Sequence, residues 1–580
     1  MNQTRTFLLL ALVAVTYLLW NAWEKDYGPQ PAPPAVAGAA VAGSTHAAPA
    51  ADGSVPGASV AAAPAVPAVP ASVAADAITG TKAQLVTVTT DVLRLTIDTR
   101  GGSLVRSELL NYPVNPRTKR NPDPAPIRLL DDTGSHFFAA QDGLISATAP
   151  APDHRALFQS AQTSYTLAKG QDALHVDLTW TDPSGLKVTK RYTLHRGSYV
   201  VDLSQQITNG SAKPWTGNAY RQLQRVVPPP PVHSNFLAKF SDQSRYSFFG
   251  AAWYSPEHKF DKLAFDKFAK EPLNQPVTGG WLAMEQHYFV TAWLPPANEA
   301  DTFSSAVIND QNGPRYLVRD MSPAITVAPG QTGSTDARLY VGPKLRDRLA
   351  ALAPGFELAL DYGIFSIVAS PLHWILAHLH SLVGNWGFAI ILLVLLINIA
   401  IYKLSEAQYV SAARMRKLKP RMDALKERYG DDKQKMQQAM MELYKKEKIN
   451  PVAGCLPILI TIPIFFALYT VLRESVELRQ APFVGWIHDL SAADPYFVLP
   501  VLYMGVMLMT QWMMPTQPGM DPTQAKMMKF MPLMFGVMFA FFPAGLVLYY
   551  IVNGLCRLAQ QWWVTRRIDR AEAAKAMARS

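Results

Sequence analysis

Polar side chains recur at helical spacing inside the last apolar segment of the chain. Tyr550, Asn553 and Arg557 follow one another at intervals of three and four residues, and Gln560 and Gln561 continue the series. On a helix these side chains form one polar stripe. A charge inside a membrane span is costly, so Arg557 is expected to face protein or water. Two interpretations stay open: the stripe receives a polar part of a substrate, or Arg557 extends to the cytoplasmic interface.

The last five apolar runs, from residue 383 onward, carry few polar side chains, and none of these is a carboxylate. The deeper ones are Asn398, Thr461, Thr510, Gln511 and Tyr549. Without intramembrane carboxylates, a relay coupled to protons or sodium ions lacks its usual groups. The chain also lacks a nucleotide-binding loop, a dinucleotide fingerprint, a zinc-protease helix and a nucleophile elbow. We expect the histidines at 373, 378 and 380 to form an interfacial cluster without a metal. The residues therefore predict a protein that is not an enzyme and has no cofactor.

The chain of 580 residues divides into a soluble part and an apolar part. Charged residues make up 17%, below the roughly 25% of an ordinary soluble domain. The apolar runs lie in 356–565, whereas 80–345 has the composition of a soluble domain. A wholly soluble enzyme is thereby excluded. A disulfide scaffold is excluded because the only cysteines, Cys455 and Cys556, lie inside apolar runs. The net charge of +10 lies in patches beside those runs, which is typical of a membrane orientation signal.

The first segment of the chain predicts a membrane anchor followed by a tether. Arg5 precedes an apolar run, and Trp20 and Trp23 stand where a signal peptide would have small residues for cleavage. We therefore expect residues 1–25 to be an uncleaved signal-anchor helix with its N-terminus inside. Residues 26–79 are almost entirely Pro, Ala, Val, Gly and Ser, so we expect a disordered linker.

Residues 80–345 alternate between apolar and polar side chains. Clear examples are 92–98, 175–180, 186–195 and 199–208, with glycine-containing turns between them. Many short strands with turn signals predict a large all-β sandwich. Because the domain follows an anchor with its N-terminus inside, we expect it in the periplasm.

Six membrane spans are predicted in total. Residues 356–382 are apolar but interrupted by polar residues, and we expect an interfacial amphipathic helix there. Five spans follow within a helical core at 383–565, and with the anchor they make six. They lie at 383–402, 455–472, 496–514, 530–542 and 544–564, the fourth beginning earlier, near Gln524.

The basic residues predict the orientation of these spans. Thirteen Lys and Arg residues lie in 403–450 but only two in 473–495. The positive-inside rule places the first of these segments in the cytoplasm. The prediction is a multi-pass protein of the bacterial inner membrane with both termini, including a basic tail at 566–580, in the cytoplasm.

The cytoplasmic segment 405–450 predicts a basic helical hairpin. Leu418 and Met422 belong to an apolar seam at helical spacing. Asp431 and Asp432 are placed to cap the start of the second helix.

Several motifs resemble those of the YidC family of bacterial membrane protein insertases, which is related to mitochondrial and chloroplast insertases. They are GNWGFAII (384–391), AQY (407–409), YGDDK (429–433), NP (450–451), GCLP (454–457), VELRQAPF (476–483), WIHDLS (486–491) and PAGLVLYY (543–550). In the outer domain, GGWLAM (279–284) and PGQTG (329–333) resemble the long form found in Gram-negative bacteria. The resemblance extends over the chain outside the linker.

The resemblance implies an insertase and folding chaperone that uses neither ATP nor metal. In that family five helices form a polar groove that is open to the cytoplasm and to lipid and closed to the outside. The residues that would line it here are Asn398, Thr461, Gln511, Tyr549, Tyr550, Asn553 and Arg557. The cytoplasmic hairpin would contact substrate or ribosome through Arg414, Arg416, Lys417, Lys419, Asp431 and Asp432. The implied partners are nascent inner-membrane proteins, the Sec translocon, the ribosome, a targeting receptor and the lipid bilayer. For the basic segments, an orientation signal alone stays an alternative.

One position departs from the family's pattern. The family usually has an arginine in the groove on the first core span, and this chain has Asn398 there. Lys403 is a poor substitute because it lies roughly 140° further round the helix. Arg557 and Asn398 lie at similar depths, each about a dozen residues from the outer end of its span. We expect the positive charge to have moved to Arg557.

Two other classes of protein stay open on the residues alone. A transporter or channel would need carboxylates or an inverted repeat, and neither is evident. A membrane-tethered β-sandwich that binds or modifies carbohydrate would not need five further helices with a polar stripe.

Overall fold

The chain forms a β-sandwich followed by a helical region. A computed structural model describes residues 83–117, 121–229, 247–310, 313–429, 432–446, 456–513 and 522–577. The predicted anchor at 1–25 and linker at 26–79 lie outside the described residues.

The sandwich consists of two sheets. The first contains, in spatial order, β14 (Asn274–Thr278), β17 (Ala300–Asp310), β18 (Gly313–Val327), β11 (Trp215–Val226), β5 (Phe138–Ile145), β3 (Ser103–Pro113), β2 (Leu93–Asp98), β1 (Leu85–Thr89) and β7 (Ser164–Thr166), and β4 (Pro126–Arg128) pairs with β3. The second contains β13 (Lys259–Ala264), β12 (Gly250–Ser255), β15 (Trp281–Gln286), β16 (Phe289–Leu294), β19 (Thr332–Pro343), β10 (Val200–Asn209), β9 (Leu186–His195), β8 (Ala173–Thr181) and β6 (Gln159–Ser160).

The predicted alternation appears directly in the strands. In β9 every second side chain, from Leu186 to Leu194, is buried, and the others are at least partly exposed. Trp215, Trp281 and Trp293 are fully buried in the core of the sandwich. The prediction of an all-β sandwich is confirmed by the two sheets, and the alternation lets each strand turn one face to the core.

Nine helices follow the last strand in the described part of the chain. They are α1 (Arg346–Leu352), α2 (Ser366–Val383), α3 (Trp386–Ala400), α4 (Tyr402–Tyr429), α5 (Lys433–Lys446), α6 (Leu456–Glu474), α7 (Val498–Met513), α8 (Pro522–Phe539) and α9 (Ala544–Met577). Helices α3, α6, α7, α8 and α9 lie where the five spans were predicted. Helix α9 continues well beyond its predicted span.

The length and composition of the helices leave the number of spans a prediction. Among the described residues, one helix is long and apolar enough to cross a membrane, Gly363–Val383. It occupies the segment for which we expected an interfacial helix. A second would be α3 joined to the start of α4, although the chain bends by 63° between them. The helices Val498–Met513 and Phe530–Phe539 are apolar but shorter.

A loop between α6 and α7 joins the helices to the sandwich. The guanidinium of Arg479 donates to the backbone oxygens of Pro113 and Val114, at 2.8 and 3.1 Å. On the other side of the loop, the backbone nitrogen of Gly545 donates to the oxygen of Leu490 at 2.9 Å. The loop therefore connects the end of β3 with the start of α9.

Candidate substrate groove

The centre of the helical region is a polar contact between α3 and α9. Asn398 lies in α3 with only 3% of its surface exposed. Its Nδ2 donates to the oxygen of Val394 at 2.9 Å and to Oδ1 of Asn553 in α9 at 3.0 Å. The side chain of Asn398 therefore faces the polar stripe predicted on α9.

The stripe continues along the same face of α9. Gln560 Nε2 donates to the backbone oxygen of Asn398 at 3.5 Å. Arg557 lies between Asn553 and Gln560, one helical turn from each. This places Arg557 at the level of Asn398, as their matching depths predicted.

Arg557 lies within electrostatic range of tyrosines from three helices. It interacts electrostatically with Tyr409 of α4 and Tyr503 of α7, as well as with its neighbours Tyr549 and Tyr550. Its side chain is half-buried. Within the described ranges, no carboxylate forms an ion pair with Arg557. Its charge is thus available to a group that enters from outside the chain.

Three buried polar atoms at this place lack a protein partner. They are Asn398 Oδ1, Tyr550 Oη and Gln560 Oε1, and no described residue forms a hydrogen bond with any of them. A buried polar atom left unsatisfied costs about 1–3 kcal/mol. Such atoms are expected to bind water or a polar group of a ligand. We call Asn398, Tyr550, Asn553, Arg557 and Gln560 the polar cluster.

Aromatic rings close one side of the polar cluster. The Tyr550 ring lies 5.3 Å from that of Phe465 in α6, 5.5 Å from Tyr503 and 4.6 Å from Phe539 in α8. Tyr549 is almost fully buried beside it. The rings bring four helices together round the cluster.

Two of the predicted groove residues lie on helices other than the two that form the polar cluster. Thr461 lies in α6 and Gln511 in α7, and both are half-buried. The residues of the predicted stripe do not all face α3. Gln561 Nε2 donates to the backbone oxygen of Met513 in α7 at 3.3 Å.

An apolar surface lies on α7 and α8, which pack against each other. Its members are large side chains with about half or more of their surface exposed: Leu502, Met509, Trp512, Phe530, Met534 and Val537. Helix α7 also packs on α9, so polar and apolar surfaces adjoin.

The hairpin of α4 and α5 has the predicted seam and cap. Leu418 and Met422 of α4 pack against Leu443 and Tyr444 of α5. Asp432 Oδ1 accepts hydrogen bonds from the backbone nitrogens of the second and third residues after it, which caps α5. The side chains of the other predicted contact residues, Arg414, Arg416, Lys417, Lys419 and Asp431, lie outside the described structure.

The sequence analysis missed an ion pair between α4 and α9. Arg567 Nη1 lies 3.0 Å from Glu406 Oε1. Glu406 follows the first core span and stands outside every predicted span. The two residues are distant in sequence, and their spacing carries no signal that would pair them.

The chain matches two sequence families. The model described as the YidC periplasmic domain matches residues 85–375, and the one described as the 60Kd inner membrane protein matches residues 378–572.

Curated proteins are similar over nearly the whole chain. A protein named membrane protein insertase YidC from Thioalkalivibrio sulfidiphilus (strain HL-EbGR7) is 46% identical over 578 residues, covering 98% of this chain and 99% of its own. The protein of that name from Xanthomonas campestris pv. campestris (strain 8004) is 48% identical over 581 residues, covering 98% of both. A solved structure described as an active YidC insertase with its first transmembrane domain resolved is 19% identical, with a TM-score of 0.36, and the match covers 83% of this chain and 92% of that one.

Proposed function

The chain belongs to the YidC family of membrane protein insertases, and we propose that it inserts its substrates through the polar cluster between α3 and α9. It is an insertase of the inner membrane with a periplasmic β-sandwich, and it is not an enzyme. The observation that supports this groove is the set of three buried polar atoms that lack a hydrogen-bond partner among the described residues. They surround an arginine that no described carboxylate pairs with.

The polar cluster lowers the cost of moving a polar segment into the membrane. A hydrated recess shortens the distance that the polar flank of a nascent chain travels through hydrocarbon. Arg557 attracts an acidic or carbonyl-rich flank, and the amides of Asn398 and Asn553 offer hydrogen bonds. The apolar part of the substrate then moves along α7 and α8 into lipid, which gains roughly 0.3–0.6 kcal/mol for each large apolar residue.

We further propose that Arg557 supplies the positive charge that the family usually carries at the position of Asn398. Four interactions support this. Asn553 and Gln560, on either side of Arg557, both bond to Asn398, and Tyr409 and Tyr503 interact electrostatically with Arg557.

Photocrosslinking tests the groove. A photoreactive amino acid replaces Tyr550, Arg557 or, as a matched control, Leu555, which lies on α9 with 49% of its surface exposed. The probe is a ribosome-bound chain stalled with one membrane span emerged. Crosslinks from Tyr550 and Arg557 but not from Leu555 are expected. Crosslinks from position 550 alone would indicate that Arg557 extends to the membrane interface and does not contact the substrate. The absence of crosslinks from both positions would contradict the groove.

The topology and the partners extend the proposal. Six spans with both termini in the cytoplasm place the hairpin and the end of α9 on the side where substrates arrive, with α2 along the periplasmic interface. The basic hairpin is suited to bind ribosomal RNA, because each contact with a phosphate releases a counterion. Ribosome binding that does not weaken between about 50 and about 200 mM salt would contradict the RNA contact.

We propose that the protein also acts as a folding chaperone and that it works alone or beside the Sec translocon.

A further inference from the structure

An ion pair joins the start of α4 to the part of α9 that follows Arg557. Arg567 Nη1 lies 3.0 Å from Glu406 Oε1, and Lys403 Nζ lies 3.6 Å from Glu406 Oε2. The Glu406 side chain is only 13% exposed, whereas that of Arg567 is 66% exposed and that of Lys403 is 91% exposed. A carboxylate enclosed between helices is thus paired by cations that reach it from the cytoplasmic side.

The pair lies where the chain turns sharply. The direction changes by 63° between α3 and the start of α4. After the turn, α4 packs on α9 through a buried face that includes Ser405, Tyr409 and Ala413. Tyr409 on this face is the residue that interacts with Arg557. Helix α4 therefore crosses the cytoplasmic side of the polar cluster, and its position decides how wide the entrance is.

Few of the described side chains on this face of α4 are both buried and apolar. The buried ones described are a serine, a tyrosine and an alanine, which offer a small apolar area. The ion pair adds a directional tie between α4 and α9. Removing one partner would leave Glu406 enclosed with only the long, exposed Lys403 to compensate its charge.

We propose that Glu406 and Arg567 are positioning residues for insertion. Their ion pair holds the base of α4 against α9, keeps Tyr409 next to Arg557, and sets the width of the entrance through which a substrate reaches the polar cluster. The inference rests on the proposed groove, and it assigns the groove's cytoplasmic boundary to a pair of charges.

The distance between α4 and α9 tests the pair directly. Cysteines replace the exposed residues Ala424 and Ala571 in the full chain, with Cys455 and Cys556 changed to serine, and spin labels report the distance in lipid nanodiscs. Glu406→Arg and Arg567→Glu each place like charges together, so the distance is expected to lengthen and its distribution to broaden.

The charge swap separates positioning from folding. Glu406→Arg combined with Arg567→Glu restores the opposite charges, so the original distance is expected to return. The matched control is Arg566→Glu. Arg566 is the neighbouring cation, and it lies over the ring of Trp562 at 4.0 Å instead of reaching Glu406. This control is expected to keep the original distance.

Insertion of a single-span substrate into proteoliposomes gives the functional outcome. Each single reversal is expected to slow insertion about threefold, the effect typical of one partly exposed ion pair, and the swap to restore it. High salt is expected to reduce the difference between the variants, because exposed cations are screened.

The outcomes separate the ion pair from the groove. An unchanged distance in the single reversals, or a swap that inserts no better than they do, would overturn the positioning role. Failure of the groove itself would appear as absent crosslinks from Tyr550 in the unaltered chain. If only the positioning role of the ion pair is wrong, those crosslinks from Tyr550 are still expected.

Discussion

At the scale of single residues, the proposal concerns which helix supplies the positive charge of the groove. The resemblance to the family predicts an arginine at the position of Asn398, and Arg557 lies on α9 one turn from Asn553, which bonds to Asn398. If the groove requires a positive charge at this depth, Arg557 can supply it from α9 because α3 and α9 contact each other here.

A swap between the two helices tests this exchange. Arg557→Asn is expected to slow insertion of a substrate with an acidic translocated tail by about tenfold, as the loss of one charge interaction at short range implies. Asn398→Arg added to Arg557→Asn is expected to recover most of the rate, measured in inverted vesicles. Arg566→Asn serves as the control outside the cluster. Normal insertion by Arg557→Ala together with failure of Asn398→Asp would show that the charge was not relocated.

The periplasmic domain carries a second residue with an unusual environment. Burial and the neighbouring Asp320 raise the pKa of Asp301 to about 8, with Glu299 adding to the rise and Arg221 opposing it. The pKa of an unfolded aspartate is about 3.9. At pH values between about 3.9 and about 8, the folded protein therefore holds a proton on Asp301 that the unfolded protein lacks. The free energy of unfolding consequently falls as the pH rises through this range.

Replacing that carboxyl should remove the pH dependence. Asp301→Asn is expected to raise the melting temperature of the sandwich at pH 9 relative to the unaltered chain, with a gain of at least about 1 kcal/mol. The difference should shrink toward pH 5, where the carboxyl is protonated. Differential scanning fluorimetry from pH 5 to about 9 measures it, with the exposed Asp172→Asn as the control. Equal pH profiles for the variant and the unaltered chain would refute the assignment.

At the scale of helices, length decides what each element does. Helix α3 has 15 residues, which rise only about 22 Å, less than the roughly 30 Å of a hydrocarbon core. Helix α9 has 34 residues and rises about 51 Å. In the proposed topology the short helix continues into α4 to reach the cytoplasm, and the length of α9 allows Arg567 to reach Glu406.

A glycine sets how closely α3 approaches the loop between α6 and α7. A methyl group at Gly387 would overlap the ring of Phe483. Gly387→Ala is therefore expected to destabilise the protein by about 1–3 kcal/mol, and Phe483→Ala in the same chain should recover part of the loss. Gly505 in α7 has no atom near the place of an added methyl group, so Gly505→Ala is the matched control. Thermal unfolding in detergent measures both, and an unchanged midpoint for Gly387→Ala would contradict the packing argument.

At the scale of the whole molecule, one loop mediates between the two regions. Arg479 and Gln480 donate to the backbone at the end of β3, and His287 in the turn between β15 and β16 lies 3.1 Å from the oxygen of Arg473. The same loop covers the start of α9. We therefore expect movements of the sandwich to be transmitted through this loop to the start of α9.

Removing the Arg479 contact should loosen the loop without unfolding either region. Arg479→Ala is expected to speed amide hydrogen exchange about tenfold in the segments 110–116 and 476–490, because hydrogen bonds from a charged donor are lost. Arg94→Ala, which removes a surface ion pair within the first sheet, is the control for a generic arginine loss. Exchange that stays the same in both segments would show that the contact does not couple them.

The local features of both regions followed from the sequence alone. The bounds of β9, the seam of Leu418 and Met422, and the cap at Asp432 each depend on residues a few positions apart, and their periodicity is visible along the chain. The family motifs identified the insertase in the same way. The number of spans and the groove roles of individual residues remain predictions.

Only the tertiary structure decided which helices and strands face one another. The alternation in β9 turns Lys190 inward but does not show that Asp142 pairs with it. Asn398 meets Asn553, and Glu406 meets Arg567, across more than 150 residues. Apolar spans resemble one another in composition, so their neighbours are set by how several helices pack at once. That arrangement is a property of the assembled protein and leaves no period in the sequence.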